Sequence, residues 1–63
     1  MKQYQEKKHL LKLSERYLVF FEYRNGITDG TKHTLRETGQ KFGVGGTRAG
    51  QIIARVEYEL GRV

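Results

Sequence analysis

Thr34-Leu35-Arg36-Glu37-Thr38-Gly39-Gln40-Lys41-Phe42-Gly43-Val44-Gly45-Gly46-Thr47-Arg48-Ala49-Gly50-Gln51-Ile52-Ile53-Ala54-Arg55-Val56 is the stretch that decides how this chain folds. It opens on a capping box. In that arrangement the Thr34 hydroxyl and the Glu37 carboxylate each satisfy an orphan amide of a helix's first turn. The spacing predicts a short helix from Leu35 to Phe42, with Leu35, Thr38 or Gly39, and Phe42 on one face, and Gly43 as its stop. A second helix follows at once. Ala49, Ile52, Ile53, Val56 and Leu60 recur at helical spacing, a stripe that asks to be buried. Gly45 is the expected N-cap, which sets Val44 and Ala49 at the two ends of a hydrophobic staple; Thr47 is the alternative cap. A glycine at 46 or 50 inside the helix costs up to ~1 kcal/mol relative to alanine, so a loose first turn is expected.

Upstream, the bulky residues gather in Tyr17, Leu18, Val19, Phe20, Phe21 and Tyr23. Ser14 can cap a helix over roughly 15–25, and Gly26 offers a left-handed stop after Asn25. Local propensity alone would also allow a strand, but no partner strand is legible elsewhere. As core, this cluster packs on the two following helices. Because so many large neighbours cannot all face inward, Val19 or Tyr23 is expected outside, where it could serve a partner or stack on unpaired bases. Ile27–His33 reads as a loop, with Thr28-Asp29-Gly30-Thr31 as turn chemistry. Residues 1–12 form a basic arm or an extra helix presenting Tyr4, Leu10 and Leu11 to the bundle, and residues 13–63 form the main domain. The fold class is therefore all-α: a small three- to four-helix bundle containing a helix-turn-helix.

Composition narrows the function. The chain has 63 residues, no cysteine and a net charge of +5. Disulfide scaffolds and zinc fingers are excluded, and His9 and His33 read as surface residues rather than metal ligands. No apolar run approaches the length of a membrane span, and a basic amphipathic membrane helix at the start would have too short an apolar face. The charge is uneven. Lys2, Lys7, Lys8 and Lys12 face only Glu6 in the first twelve residues, and Arg36, Lys41, Arg48 and Arg55 face only Glu37 between 34 and 55. The middle is neutral. Two basic zones suggest an anionic partner, either nucleic acid or an acidic protein. An enzyme is not expected. Ser14, His9 and Asp29 have no triad spacing, Glu57 and Glu59 cannot face one another on a helix, and the Gly43–Arg48 run lacks the lysine and strand of a phosphate-binding loop. No cofactor, metal or small-molecule substrate is implied.

With about three residues between them, the last two helices make a helix-turn-helix, whose second member enters a DNA major groove. If the 49/52/53/56/60 stripe is buried, Arg48, Gln51 and Arg55 lie opposite. Arginine pairs with guanine edges or phosphates, and glutamine with adenine.

From Leu13 to Leu60, about three quarters of the chain, the sequence resembles region 4 of bacterial primary sigma factors. The resemblance is carried by Leu13-Ser14-Glu15-Arg16, by Phe20-Phe21-Glu22-Tyr23-Arg24-Asn25-Gly26-Ile27, and by Asp29-Gly30 with Thr34-Leu35-Arg36-Glu37-Thr38-Gly39-Gln40-Lys41-Phe42-Gly43-Val44. Arg48, Gln51, Ile52, Ala54, Arg55 and Leu60 add to it. It implies a helical domain reading an upstream (−35-type) promoter element on double-stranded DNA and gripping the β flap of RNA polymerase, in bacterial or phage transcription initiation. It implies base or groove contact by Arg48, Gln51 and Thr47, and phosphate contact by Thr34, Arg36, Lys41 and Arg55. It also implies a cytoplasmic, nucleoid-associated location. The chain departs from the family at Gly45-Gly46-Thr47-Arg48, at Gly50 and at Ile53, where base-reading arginine and glutamate are missing, so the groove code is expected to be rewritten. The promoter-melting region of a full sigma factor has no counterpart in these residues, which reads as a fragment or as a small regulator. The alternative is a protein-interaction module that docks on the β flap or a transcription factor without reading bases.

Overall fold

Local capping sets the boundaries of the Leu35–Phe42 helix, whereas Ser14 and Gly45 stand at the N-caps of the helices on either side without a side-chain hydrogen bond. The computed structural model describes residues 2–63, and among them there is no strand. Helix α1 spans Lys2–Lys7 and runs into a 3-10 turn at Lys8–Leu10; α2 spans Glu15–Arg24, α3 Leu35–Phe42 and α4 Gly46–Arg62. Met1 of the basic first segment lies outside the described residues. At the start of α3 the capping box is complete: the Glu37 amide donates to Thr34 Oγ1 at 3.0 Å, and the Thr34 amide donates to Glu37 Oε1 at 2.9 Å. Its end is equally local. Gly43 adopts φ 79°, and the amides of Gly43 and Val44 both turn back to the Gly39 carbonyl.

Helix α4 is the hub on which α2 and α3 both pack. At about 1.5 Å per residue its length is ~25 Å, close to the 28 Å long axis of the molecule. Its buried stripe is the expected one: Ala49, Ile52, Ile53 and Val56 are buried and Leu60 is half-buried against them. From α2 come Leu18, Phe20 and Phe21, and from α3 Thr38 and Gly39. The buried Thr38 hydroxyl donates to the Thr34 carbonyl at 2.8 Å, so it carries no unpaired polar group into the core. Gly39 is required by contact. A Cβ there would stand 2.6 Å from the Val44 carbonyl oxygen, so the turn between α3 and α4 can close only over a hydrogen.

Four side chains depart from the sequence expectations. Leu10 is 48% exposed while Tyr4 and Leu11 are buried. Leu10 closes the 3-10 turn whereas Leu11 is extended, at φ −77° and ψ 129°, so the chain leaves helical winding between the two leucines and only Leu11 turns inward. Neither Val19 nor Tyr23 is left outside; both are half-buried. Tyr23 is covered because the 25–33 loop folds back over it: His33 stacks on its ring at 3.9 Å and 5°, and the Phe42 ring meets it edge-on at 5.7 Å. His33 is accordingly not a free surface residue. Its amide donates to the Arg24 carbonyl at 3.0 Å, Arg24 Nη1 donates to its carbonyl at 2.8 Å, and its Nε2 lies 3.0 Å from Asp29 Oδ2. The hydrogen bonds from His33 and from the Thr31 amide hold the Asp29 carboxyl below the usual range. His9 is exposed.

The first segment is fastened to α2 at one carboxylate. The Tyr4 hydroxyl donates to Glu22 Oε2 at 2.6 Å and Lys8 Nζ lies 2.9 Å from the same oxygen, while the Tyr4 ring rests on Phe21 at 4.8 Å. Burial alone would raise the Glu22 carboxyl, but the hydrogen bonds from Tyr4 and Lys8 outweigh it and the group ends below its ordinary value. Burial and the same carboxylate push the Tyr4 hydroxyl well above the ordinary phenol range.

Candidate nucleic-acid interface

Because α4 buries the 49/52/53/56 stripe, Thr47, Arg48, Gln51, Ala54, Arg55 and Tyr58 are left exposed. They do not all point the same way. At about 100° per residue, Thr47, Gln51, Ala54 and Tyr58 form the outermost ridge. Arg48 and Arg55 lie to one side of it, and Gly46 and Gly50 to the other.

Each side meets a different neighbour. Gly46 and Gly50 lie against the first turn of α3: a Cβ on Gly46 would stand 3.5 Å from Arg36 Cα, and one on Gly50 would stand 3.3 Å from Leu35 Cδ1. A Cβ at Gly46 would make only ordinary contact, while Gly50 leaves room for the Leu35 side chain, and the exposed Arg36 flanks the ridge there. On the other side Arg48 Nη2 lies 3.5 Å from the Tyr17 hydroxyl. An open groove runs along that edge between Lys12, Leu13, Ser14 and Tyr17 on one bank and Gln51 and Arg55 on the other. Arg55 also pairs with Glu59 at 3.3 Å. Glu59 is half-buried but the Arg55 side chain is exposed, and a pair open to water on that side is worth about 1 kcal/mol, so a phosphate can compete for the guanidinium.

The structure therefore brings Arg36, Thr47, Arg48, Gln51 and Arg55 around the N-terminal half of α4. Thr34 stands at the start of α3, exposed, with its hydroxyl oxygen accepting from Glu37. The Glu37 carboxylate beside it makes that corner less inviting to an anion than a bare cap. Lys41 is apart. Five residues from Arg36, it lies about 140° further round α3, and its ammonium sits 5.9 Å from the Tyr23 ring. Sequence reasoning placed Lys12 in the basic first segment but did not bring it, or Ser14 and Tyr17, to the edge of α4. They come to α4 across more than thirty residues of chain, as the Tyr17–Arg48 contact does, and no local spacing signals such a meeting.

Among the described residues no group of three or more His, Asp or Glu side chains could hold a metal ion, and no helix is long and apolar enough to cross a membrane. No family model and no solved structure matches the chain.

Proposed function

We propose that α3 and α4 form a helix-turn-helix and that the protein is a duplex-DNA-binding module of the sigma region 4 type. On this reading it acts on promoter DNA at the nucleoid, in the cytoplasm of a bacterium or in a phage-infected cell. It has no catalytic role. The observation that carries the reading is the exposed N-terminal half of α4, where Thr47 and Gln51 stand outermost with Arg48 and Arg55 to one side and Arg36 to the other. A major groove about 12 Å wide admits one helix, and an arginine on either side of that helix suits the phosphates bordering the groove. The resemblance in residues 13–60 supports promoter DNA and the polymerase β flap as the partners.

Contact with phosphates should dominate. A fluorescent duplex titrated at several salt concentrations should bind at roughly 10⁻⁴–10⁻⁶ M near physiological salt, and more tightly as salt falls. Affinity that ignores salt would refute the reading. For the polymerase, a pull-down from bacterial lysate with and without nuclease separates direct docking from tethering by DNA.

A second reading, docking on a protein without reading bases, is favoured by one observation. Tyr58 is 59% exposed under the Arg62 guanidinium, 5.5 Å from its ring centre, an arrangement typical of protein contacts. Tight binding to an isolated β-flap fragment by a protein that leaves DNA untouched would select it.

A further inference from the structure

We propose that the groove between Lys12–Tyr17 and the Gln51–Arg55 edge of α4 seats one sugar-phosphate strand of a duplex, the strand facing away from α3, so that the module grips both walls of the groove that α4 enters. The inference rests on the DNA-binding reading and adds to it a contact surface outside the two helices that the sequence nominates.

Three observations lead there. First, the groove is continuous with the outer ridge of α4, because Gln51 belongs to both. A duplex lying on that ridge passes its backbone over the groove. Second, the two flanks of α4 stand on opposite sides of the ridge. Gly46 and Gly50 face α3 while Arg48 and Arg55 face the Leu13–Tyr17 segment, and the two sets are roughly 140–180° apart round the helix axis. A helix is about 10–12 Å across and the groove about 12 Å wide, so elements flanking an inserted helix must ride on the phosphate walls. Arg36 serves one wall. The 12–17 segment serves the other.

Third, the charges suit an anion. Lys12 is exposed and has no carboxylate partner among the described residues. Arg48 and Arg55 border the same edge of α4, and the Tyr17 hydroxyl stands beside Arg48. Two carboxylates are near. Glu59 holds one side of Arg55, and the charge of Glu15 acts on Tyr4 and Lys8 of the first segment. The cations outnumber them along the groove. In this arrangement Arg48 and Arg55 bind backbone together with Lys12, and base reading falls to Thr47 and Gln51.

The test is the salt slope of binding to a short duplex, measured for the full chain. Removing one cation that neutralises a phosphate lowers the slope of log K against log salt by about 0.9. Lys12→Gln should lower it by that amount, Arg36→Gln by the same, and the double variant by the sum, since they serve different walls. Lys32→Gln, in the exposed 25–33 loop, is the control and should leave the slope unchanged. Circular dichroism confirms that each variant keeps its helices. A Lys12→Gln slope equal to that of the wild type, with Arg36→Gln lowered, overturns the groove and leaves the DNA reading standing. A wild type without salt-dependent binding overturns both.

Discussion

At the scale of single residues, the sharpest consequences fall on the two close turns around α3. Thr34 accepts from the Glu37 amide, so Thr34→Ala should cost about 1 kcal/mol. For a domain of this size that corresponds to a fall of about 4–8 °C in Tm by thermal circular dichroism. Two glycines of α3 and its cap test different physics. Gly43 has open space around its Cβ position but φ 79°, so Gly43→Ala should cost only the left-handed strain, about 1–2 kcal/mol. Gly39 has ordinary dihedrals but a carbonyl oxygen 2.6 Å from its Cβ position. Gly39→Ala must therefore push the α3–α4 turn away, at an overpacking cost of about 1–3 kcal/mol, and disturb the position of Arg36 against Gly46. A decisive comparison is Gly61→Ala, which meets nothing within 4 Å and should be neutral or slightly stabilising. Equal melting of the Gly39 and Gly61 variants would contradict that close approach. The capping box and the Gly43 stop were legible in the sequence because each is settled within a few residues. The need for glycine at 39 was not, since the atom that forbids a side chain arrives only when the turn closes.

At the scale of elements, the attachment of α1 to α2 makes stability depend on pH. The folded-state pKa of Glu22 is depressed, so its contribution is fully present above the unfolded value of about 4.3. It is lost as pH falls through the lower folded value. Tyr4 works in the opposite sense: its folded pKa is raised, so its share is present below about pH 10 and fades in alkali. Tyr4→Phe keeps the ring on Phe21 and removes the hydrogen bond to a charged acceptor, for a loss of about 1.5 kcal/mol at neutral pH. Urea unfolding at pH 7 and pH 3 should show that loss shrinking in acid, and Glu22→Gln should flatten the acid decline of the wild type. A loss that stays constant between the two pH values would show that Glu22 is not the acceptor that matters. The period of α4 announced its buried stripe plainly. The placement of Leu10 did not follow from spacing, because the helical winding ends there and Leu11 is extended, so no helical period relates the two.

At the scale of the whole molecule, a 63-residue chain without cross-links has little stability to spare, about 3–5 kcal/mol for domains of this kind. Phe20 is fully buried and stacked on Phe42 at 4.5 Å, and removing such a side chain costs about 3–5 kcal/mol. Phe20→Ala should therefore be largely unfolded at 25 °C by circular dichroism and should lose the proposed DNA binding with its helices. Arg48→Ala should keep its helices and weaken the proposed binding alone; if both variants melt alike, Arg48 is structural rather than functional. What the sequence determined by itself were helices α2, α3 and α4, the Thr34 cap and the stripe that α4 buries, because these depend on neighbours within one or two turns. The tertiary structure alone decided which exposed charges lie near one another. It set Arg36 and the Leu13–Tyr17 segment on opposite sides of α4 and turned Lys41 away toward Tyr23, because the rotation of each helix about its axis is chosen by how the buried faces interlock across the core.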